Sequence, residues 1–121
     1  IYFEEIDLCK RLIKNNKQIF LDTNIRVNHL GGTSHDNSIN YEMEKSRNWH
    51  WMWSSFYFHY KHYGYITALI KIIPKFLSAS IKTVFYKIIS DKEKKDIYYC
   101  RLNGMLNSIL MKKSWYRPKI Y

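Results

Sequence analysis

Few residues in this sequence belong to the types that build disulfide-rich, zinc-clustered or glycine-rich proteins. The 121 residues include only two Cys, four Gly and two Pro. Cys9 and Cys100 are too few and too far apart for a disulfide scaffold or a four-ligand zinc site, and they favour a reducing compartment. The scarcity of Gly and Pro excludes collagen-like chains and Gly/Pro-rich linkers.

Hydrophobic and aromatic residues are plentiful instead. Hydrophobic residues make up 46% of the chain, which argues against wholesale disorder. Aromatic residues make up 17%, with 11 Tyr and four Trp. The length suits one domain or part of one. The sequence opens at Ile1 within an acidic, helical motif, and we therefore expect a piece of a longer protein.

Positive charge is concentrated in the C-terminal two thirds of the chain. The whole sequence has a formal net charge of +10, but residues 1–40 contain five basic and five acidic side chains. Residues 41–121 therefore carry the entire excess. This asymmetry indicates a polyanionic partner such as anionic lipid or nucleic acid. A solvated Lys-rich surface explains the charge alone equally well.

The residue pattern predicts three helices and a strand pair, with helical periodicity in the first and last helices and no strict period in the middle one. The first helix covers residues 4–16, and two short strands lie within 18–29 before a Gly-rich loop. The absence of Gly and Pro favours a helix over 41–63, which Gly64 would end. A last helix is predicted over 91–110.

Residues 65–89 form the most apolar stretch of the chain. Four lysines and Pro74 interrupt it, whereas a spanning helix needs about 20 mostly uncharged residues, so a membrane span is excluded. On a helix the polar residues gather in a narrow stripe. Such a helix lies in a membrane interface or packs in a core with one wet edge, and the second is commoner. Pro74 predicts a kink or a new helix start.

Two groups of residues could carry chemistry. The carboxylates of Glu4, Glu5 and Asp7 could supply a general base, but acids at a helix start also simply complement the helix dipole. His29 precedes a Gly pair and is either a metal ligand or the cap of a turn. The sequence contains no zinc-ligand pair, phosphate-binding Gly loop or Cys-x-x-Cys.

Several segments, in order along the chain, carry a resemblance to an enzyme family. Residues 1–11, IYFEEIDLCKR, look like an acidic motif often written Phe-Glu-Asp-x-Asp-Leu-x-x-Arg. Residues 27–34, VNHLGGTS, resemble the His and Gly-rich turn that follows it. Residues 47–48 (RN), 61–64 (KHYG) and the basic C-terminus resemble later elements. The combination is similar to bacterial rhamnosyltransferase-like members of the inverting family 2 glycosyltransferases.

The resemblance implies a fold and a division of the chain. The fold would be α+β and mainly α: the C-terminal fragment of a GT-A Rossmann-like domain, with one helix and short strands, followed by amphipathic helices. Residues 1–40 would end the catalytic domain and include the acidic motif and the His-Gly-Gly loop. Residues 41–121 would form a basic, aromatic helical region.

The resemblance also implies roles for individual residues. Glu5 stands where the family has its catalytic Asp, the base that deprotonates the acceptor hydroxyl, although Glu4 or Asp7 could take that role. Asp7 is further expected to line the acceptor site, with Arg11 as its structural partner. His29 matches a ligand of a divalent metal, Mn²⁺ or Mg²⁺, whose other ligands would lie in the missing N-terminal part. The other substrate-binding candidates are Arg47, Asn48, Lys61 and His62.

The implied function is sugar transfer with inversion, from a nucleotide-sugar donor to a cell-envelope or lipid-linked glycan. The location would be cytoplasmic and peripheral, at the inner face of the cell membrane, with the basic residues and the aromatic belt 49–63 against anionic lipid. We expect no nucleic-acid partner. Because the 121 residues lack an Asp-x-Asp motif, we expect no activity from this fragment alone. The alternative is a stand-alone basic module that binds a membrane surface or nucleic acid.

Overall fold

A computed structural model describes residues 2–28 and 37–119 as a helical protein. Its helices are α1 (Glu4–Lys14), α2 (Asn40–Tyr63), α3 (Tyr65–Ile88) and α4 (Lys92–Ile109), with a single 3-10 turn at Asn37–Ile39 before α2. Helices α2, α3 and α4 all pack against one another, and the α2–α4 contact is the most extensive. Helix α1 lies at the edge of this three-helix unit.

The helix ends follow from local chemistry. Gly64 alone separates α2 from α3, because its φ of +82° is a conformation that favours glycine. Asp91 caps α4, and its carboxylate accepts a hydrogen bond of 3.1 Å from the Lys94 backbone N–H. The helices predicted over 4–16, 41–63 and 91–110 are therefore present, with ends shifted by at most two residues.

The core lies between α2, α3 and α4. Its buried side chains combine large apolar groups with small ones that let the helices approach. These residues are Met52, Phe56, Ala68, Ile72, Ala79 and Met105. Both small residues, Ala68 and Ala79, come from α3, which also contributes the buried Ile72.

The predicted strand pair is absent, and the α+β expectation is wrong for the described part of the chain. Residues 17–28 contain neither helix nor strand in the structure. Phe20, Leu21 and Val27 are between 82% and 89% exposed. An alternating apolar pattern forms a strand only where another strand supplies backbone hydrogen bonds, and residues 2–28 and 37–119 offer none. The described residues thus contradict the GT-A Rossmann-like fragment with short strands.

Helix α3 shows neither a new helix start at Pro74 nor the packing of a core helix with one wet edge. It continues through Pro74, and no new helix begins there. Pro74 and Ile70, whose carbonyl loses its partner, are both exposed, so water can satisfy that carbonyl. The helix buries only Ala68, Ile72 and Ala79. Most of its apolar side chains face away from the protein, so α3 is not a core helix with one wet edge.

None of the helices within the described ranges is long and apolar enough to cross a membrane.

Candidate functional site

The carboxylate of Asp7 joins the start of α1 to the end of α2. Lys61 Nζ lies 2.7 and 2.9 Å from its two oxygens. His62 Nε2 lies 2.8 Å from Oδ1, and Arg11 Nε donates to Oδ2 at 2.9 Å. Four residues that the sequence singled out, two on each helix, therefore meet at one point.

This arrangement makes Asp7 a structural anion rather than a base. Hydrogen bonds from Lys61 and His62, followed by that from Arg11, lower the pKa of Asp7 to about 2. A carboxylate with such a pKa takes up protons poorly at neutral pH. Asp7 is therefore suited to holding Lys61 and His62 in position.

The residue before α1 fixes how the helix starts. Phe3 has a left-handed backbone with φ of +71°, a conformation that aromatic residues adopt only under strain. Its carbonyl accepts the Asp7 N–H at 2.8 Å, and its ring lies 5.4 Å from that of Phe58 on α2. Polar and aromatic contacts thus hold the acidic turn against α2.

A cavity of about 220 Å³ opens between this acidic turn and α2. We call it the acceptor cavity, a name that refers only to the role proposed for it below. Its lining combines two carboxylates and an ammonium with aromatic walls, and consists of Tyr2, Phe3, Glu4, Asp7, Trp53, Ser54, Tyr57, Phe58 and Lys61. Apolar walls with a few convergent polar groups are typical of small-molecule sites.

The aromatic wall of the acceptor cavity was not identified from the sequence. Trp53 and Tyr57 stack with ring centroids 5.0 Å apart and planes 18° apart. Trp53 Nε1 donates to the Lys112 carbonyl at 3.0 Å, which fixes the indole. The available signal was the spacing of Trp53, Tyr57 and Lys61, since residues four apart share one helix face.

The two glutamates of the acidic turn differ in position. Both are exposed, but Glu4 lines the acceptor cavity and Glu5 does not. Successive helix residues point about 100° apart, so only one of the two can face the cavity. The geometry therefore brings Glu4, rather than Glu5, together with Asp7 and Lys61.

Arg47 and Asn48 lie apart from the acceptor cavity. Arg47 lines a second cavity of about 410 Å³ with Tyr2, which borders both, and with Arg117. Asn48 is buried: its amide donates to Glu44, and its Oδ1 accepts from Arg101 Nε at 2.6 Å. The Asn48 side chain is thus engaged in joining α2 to α4.

The expected metal site cannot be built from the described residues. His29, the expected ligand, lies outside them. Among residues 2–28 and 37–119, no group of three His, Cys, Asp or Glu side chains could hold a metal ion. Asp7 does not fit a divalent cation, because three cationic or protonatable side chains already occupy its oxygens. We therefore derive no chemical step through a metal.

The aromatic belt 49–63 does not form one exposed surface. Trp49 and Phe56 are fully buried, and Phe58 is only 8% exposed, whereas Trp51 and Tyr57 are exposed. The rings point all around α2, which packs against both α3 and α4 and also contacts α1. An interface with lipid along this belt would need residues that the core already holds.

Comparisons of this chain with family models, with curated proteins and with solved structures find no match. The order of the motifs and the geometry of the described residues are therefore the observations that bear on function.

Proposed function

We propose that this chain is the C-terminal portion of a glycosyltransferase and that the acceptor cavity binds the glycan acceptor. One observation carries the proposal: Glu4 and Asp7 border the same cavity as the stacked rings of Trp53 and Tyr57. A sugar offers an apolar face of C–H groups and a rim of hydroxyls. Aromatic rings fit the first, and carboxylates and an ammonium hydrogen-bond to the second.

The chemistry is an inverting displacement at the anomeric carbon of a nucleotide sugar. Glu4 accepts the proton of an acceptor hydroxyl, and the hydroxyl oxygen attacks the anomeric carbon. The bond between that carbon and the diphosphate oxygen breaks, and the nucleotide diphosphate leaves with the bonding electrons. Lys61, held by Asp7, orients the acceptor.

The acceptor in this proposal is a cell-envelope or lipid-linked glycan, and the site of action is the inner face of the cell membrane. Peripheral attachment is supported by the net charge of +10, which lies entirely in residues 41–121.

A binding experiment tests the acceptor cavity directly. Saturation-transfer NMR of the 121-residue chain with a panel of methyl glycosides should detect binding of at least one sugar. Trp53→Ala should weaken that binding about tenfold, the equivalent of about 1.4 kcal/mol. Trp51→Ala is the matched control, since Trp51 is exposed on the same helix and does not line the cavity. Equal effects of both variants, or no binding at all, would refute the proposed site.

A turnover experiment tests the assignment of the base. The 121-residue chain should form no product with nucleotide sugar and Mn²⁺, because it contains no Asp-x-Asp motif. In a longer polypeptide that carries this sequence and transfers sugar, Glu4→Gln should lower kcat by about 10² to 10⁴. Glu5→Gln is the comparison. A larger loss from Glu5→Gln would move the base to the residue that the family resemblance predicts.

A further inference from the structure

We propose that the outward face of α3 lies in the headgroup region of an anionic lipid bilayer, with the helix parallel to the membrane plane. The inference rests on the peripheral location proposed above and specifies the part of the chain that contacts the membrane and the charge of the lipid. It uses no residue of the acceptor cavity, so glycan binding and membrane binding can fail separately.

The outward face of α3 is a continuous apolar surface. Every member is a large apolar side chain between 50% and 75% exposed: Ile66, Ile70, Ile73, Leu77, Ile81, Val84, Phe85 and Ile88. At 100° per residue these positions fall within an arc of about 120° on the helix. The buried residues Ala68, Ile72 and Ala79 lie on the opposite side.

The size of this face indicates an interaction surface. Helix α3 has 24 residues, and at a rise of 1.5 Å per residue it is about 36 Å long. Exposed apolar side chains recur along nearly the whole length. Monomeric soluble proteins rarely expose contiguous apolar patches larger than a few hundred Å², and larger ones mark contact with a protein or membrane.

The charges around the outward face select anionic lipid. Residues 65–90 contain no Asp or Glu. Lys71, Lys82 and Lys87 are exposed beside the apolar residues, and the Lys82 ammonium lies 5.1 Å from the centroid of the Tyr98 ring on α4. Lys75 points inward and donates to Ser55 Oγ at 2.8 Å. An apolar face whose charged neighbours on its own helix are all cations is the pattern of helices that lie in an anionic interface, where lysines reach the headgroups.

A second copy of the chain is less suited than anionic lipid to cover the outward face of α3. Two α3 helices placed face to face would bring their lysines together without an acidic residue on either helix. Unscreened like charges at an interface oppose association. Negatively charged headgroups instead neutralise the same lysines while the acyl region receives the apolar side chains.

Vesicle binding by the 121-residue chain tests the proposal. The chain should sediment with phosphatidylglycerol vesicles, bind less to neutral phosphatidylcholine vesicles, and be partly released by high salt. The double variant Ile70→Glu/Ile81→Glu should lower the partition coefficient about tenfold or more. The matched control is Ile13→Glu/Leu110→Glu. Its two positions are 64% and 62% exposed, against 63% and 69% on α3, and it changes the net charge equally.

The control separates insertion of α3 from attraction by charge alone. The control variant should lose far less binding than the α3 variant, while circular dichroism melts should show both folded. Equal losses would overturn the proposal in favour of nonspecific charge. So would absence of binding to anionic vesicles, equal binding to neutral ones, or a solution dimer that only the α3 variant dissociates.

Discussion

The α2–α4 interface and the outward face of α3 reverse the usual relation between polarity and burial. At the α2–α4 interface, Trp49 is fully buried, and its Nε1 donates to Asn103 Oδ1 at 2.7 Å. Ser108 is also buried and donates to the Trp53 carbonyl at 2.9 Å. The outward face of α3 is far more apolar and remains exposed. Hydropathy alone therefore does not decide which face of a helix is buried here.

The difference arises from how closely the helices approach. Gly104 on α4 leaves room for the backbone of α2, since a Cβ at this position would lie 2.3 Å from the Trp49 carbonyl oxygen. Close approach brings the polar groups of α2 and α4 within hydrogen-bond distance, so they are buried at little cost. Helix α3 contacts the others through small residues such as Ala68 and Ala79. Of its large apolar side chains, Ile72 is fully buried and Leu69 and Phe76 are partly buried, and most of the others are left on the outside.

Removing bulk from the core should have the largest effect on stability. Phe56 is fully buried between the three helices, and we expect Phe56→Ala to lower the free energy of unfolding by about 3–5 kcal/mol. Urea unfolding followed by circular dichroism measures this change. A loss below about 1 kcal/mol would mean that the site collapses around the smaller residue and that the core is loosely packed.

Adding a single methyl group at Gly104 should have the next largest effect. Gly→Ala in a helix interior normally stabilises by about 0.5–1 kcal/mol. Here the new Cβ meets the Trp49 carbonyl, so Gly104→Ala should instead destabilise by about 1–3 kcal/mol. The same urea titration gives the sign. A stabilised variant would show that α2 and α4 lie farther apart than this geometry requires.

The sequence was sufficient for the helices with strong local signals. Gly64 ends α2 because only its positive φ permits the abrupt change of direction, and Asp91 starts α4 as a side-chain cap. The structure brings Asp7, Lys61 and His62 together, and their roles as site residues stay predictions. At both helix ends the residue type alone specifies the local structure, since glycine permits the positive φ and the aspartate side chain caps the helix.

The sequence was insufficient wherever the outcome depends on a neighbour. The alternation in 18–29 predicted strands, but a strand needs a partner, and none exists in the described residues. The periodicity of 65–89 gave the apolar face of α3 and could not show whether another element covers it. Trp53 and Tyr57 were noted as aromatic, but their role at the acceptor cavity depends on where α1 packs.

A smaller and pH-dependent effect should follow from loosening α1. Helix α1 is attached to α2 through Asp7, through the contact of Lys10 with Tyr63 and through a few aromatic contacts. Asp7→Asn removes the charged part of this attachment, so it should reduce hydrogen-exchange protection of α1 and leave α2 and α4 unchanged. The folded-state pKa of Asp7 is lowered from 3.8 to about 2. Its contribution is therefore complete well above pH 3.8 and disappears as the pH falls through that range toward about 2.

The matching measurement is the difference in α1 protection between wild type and Asp7→Asn as a function of pH. The difference should be present well above pH 3.8 and shrink as the pH falls from there toward about 2. A difference that stays constant or grows over that range would assign the attachment of α1 to other groups. Global unfolding is unsuitable as a readout, because it reports the three packed helices.

The smallest effect is expected on the outward face of α3. Ile81 is 69% exposed, and Ile72, on the same helix, is 1% exposed. In solution Ile81→Ala should change the free energy of unfolding by less than about 0.5 kcal/mol, whereas Ile72→Ala should cost about 2–5 kcal/mol. Both substitutions remove the same atoms from the same helix, so their difference measures burial alone. A large loss from Ile81→Ala in dilute solution would mean that this face is already covered by protein, and it would remove the surface on which membrane binding depends.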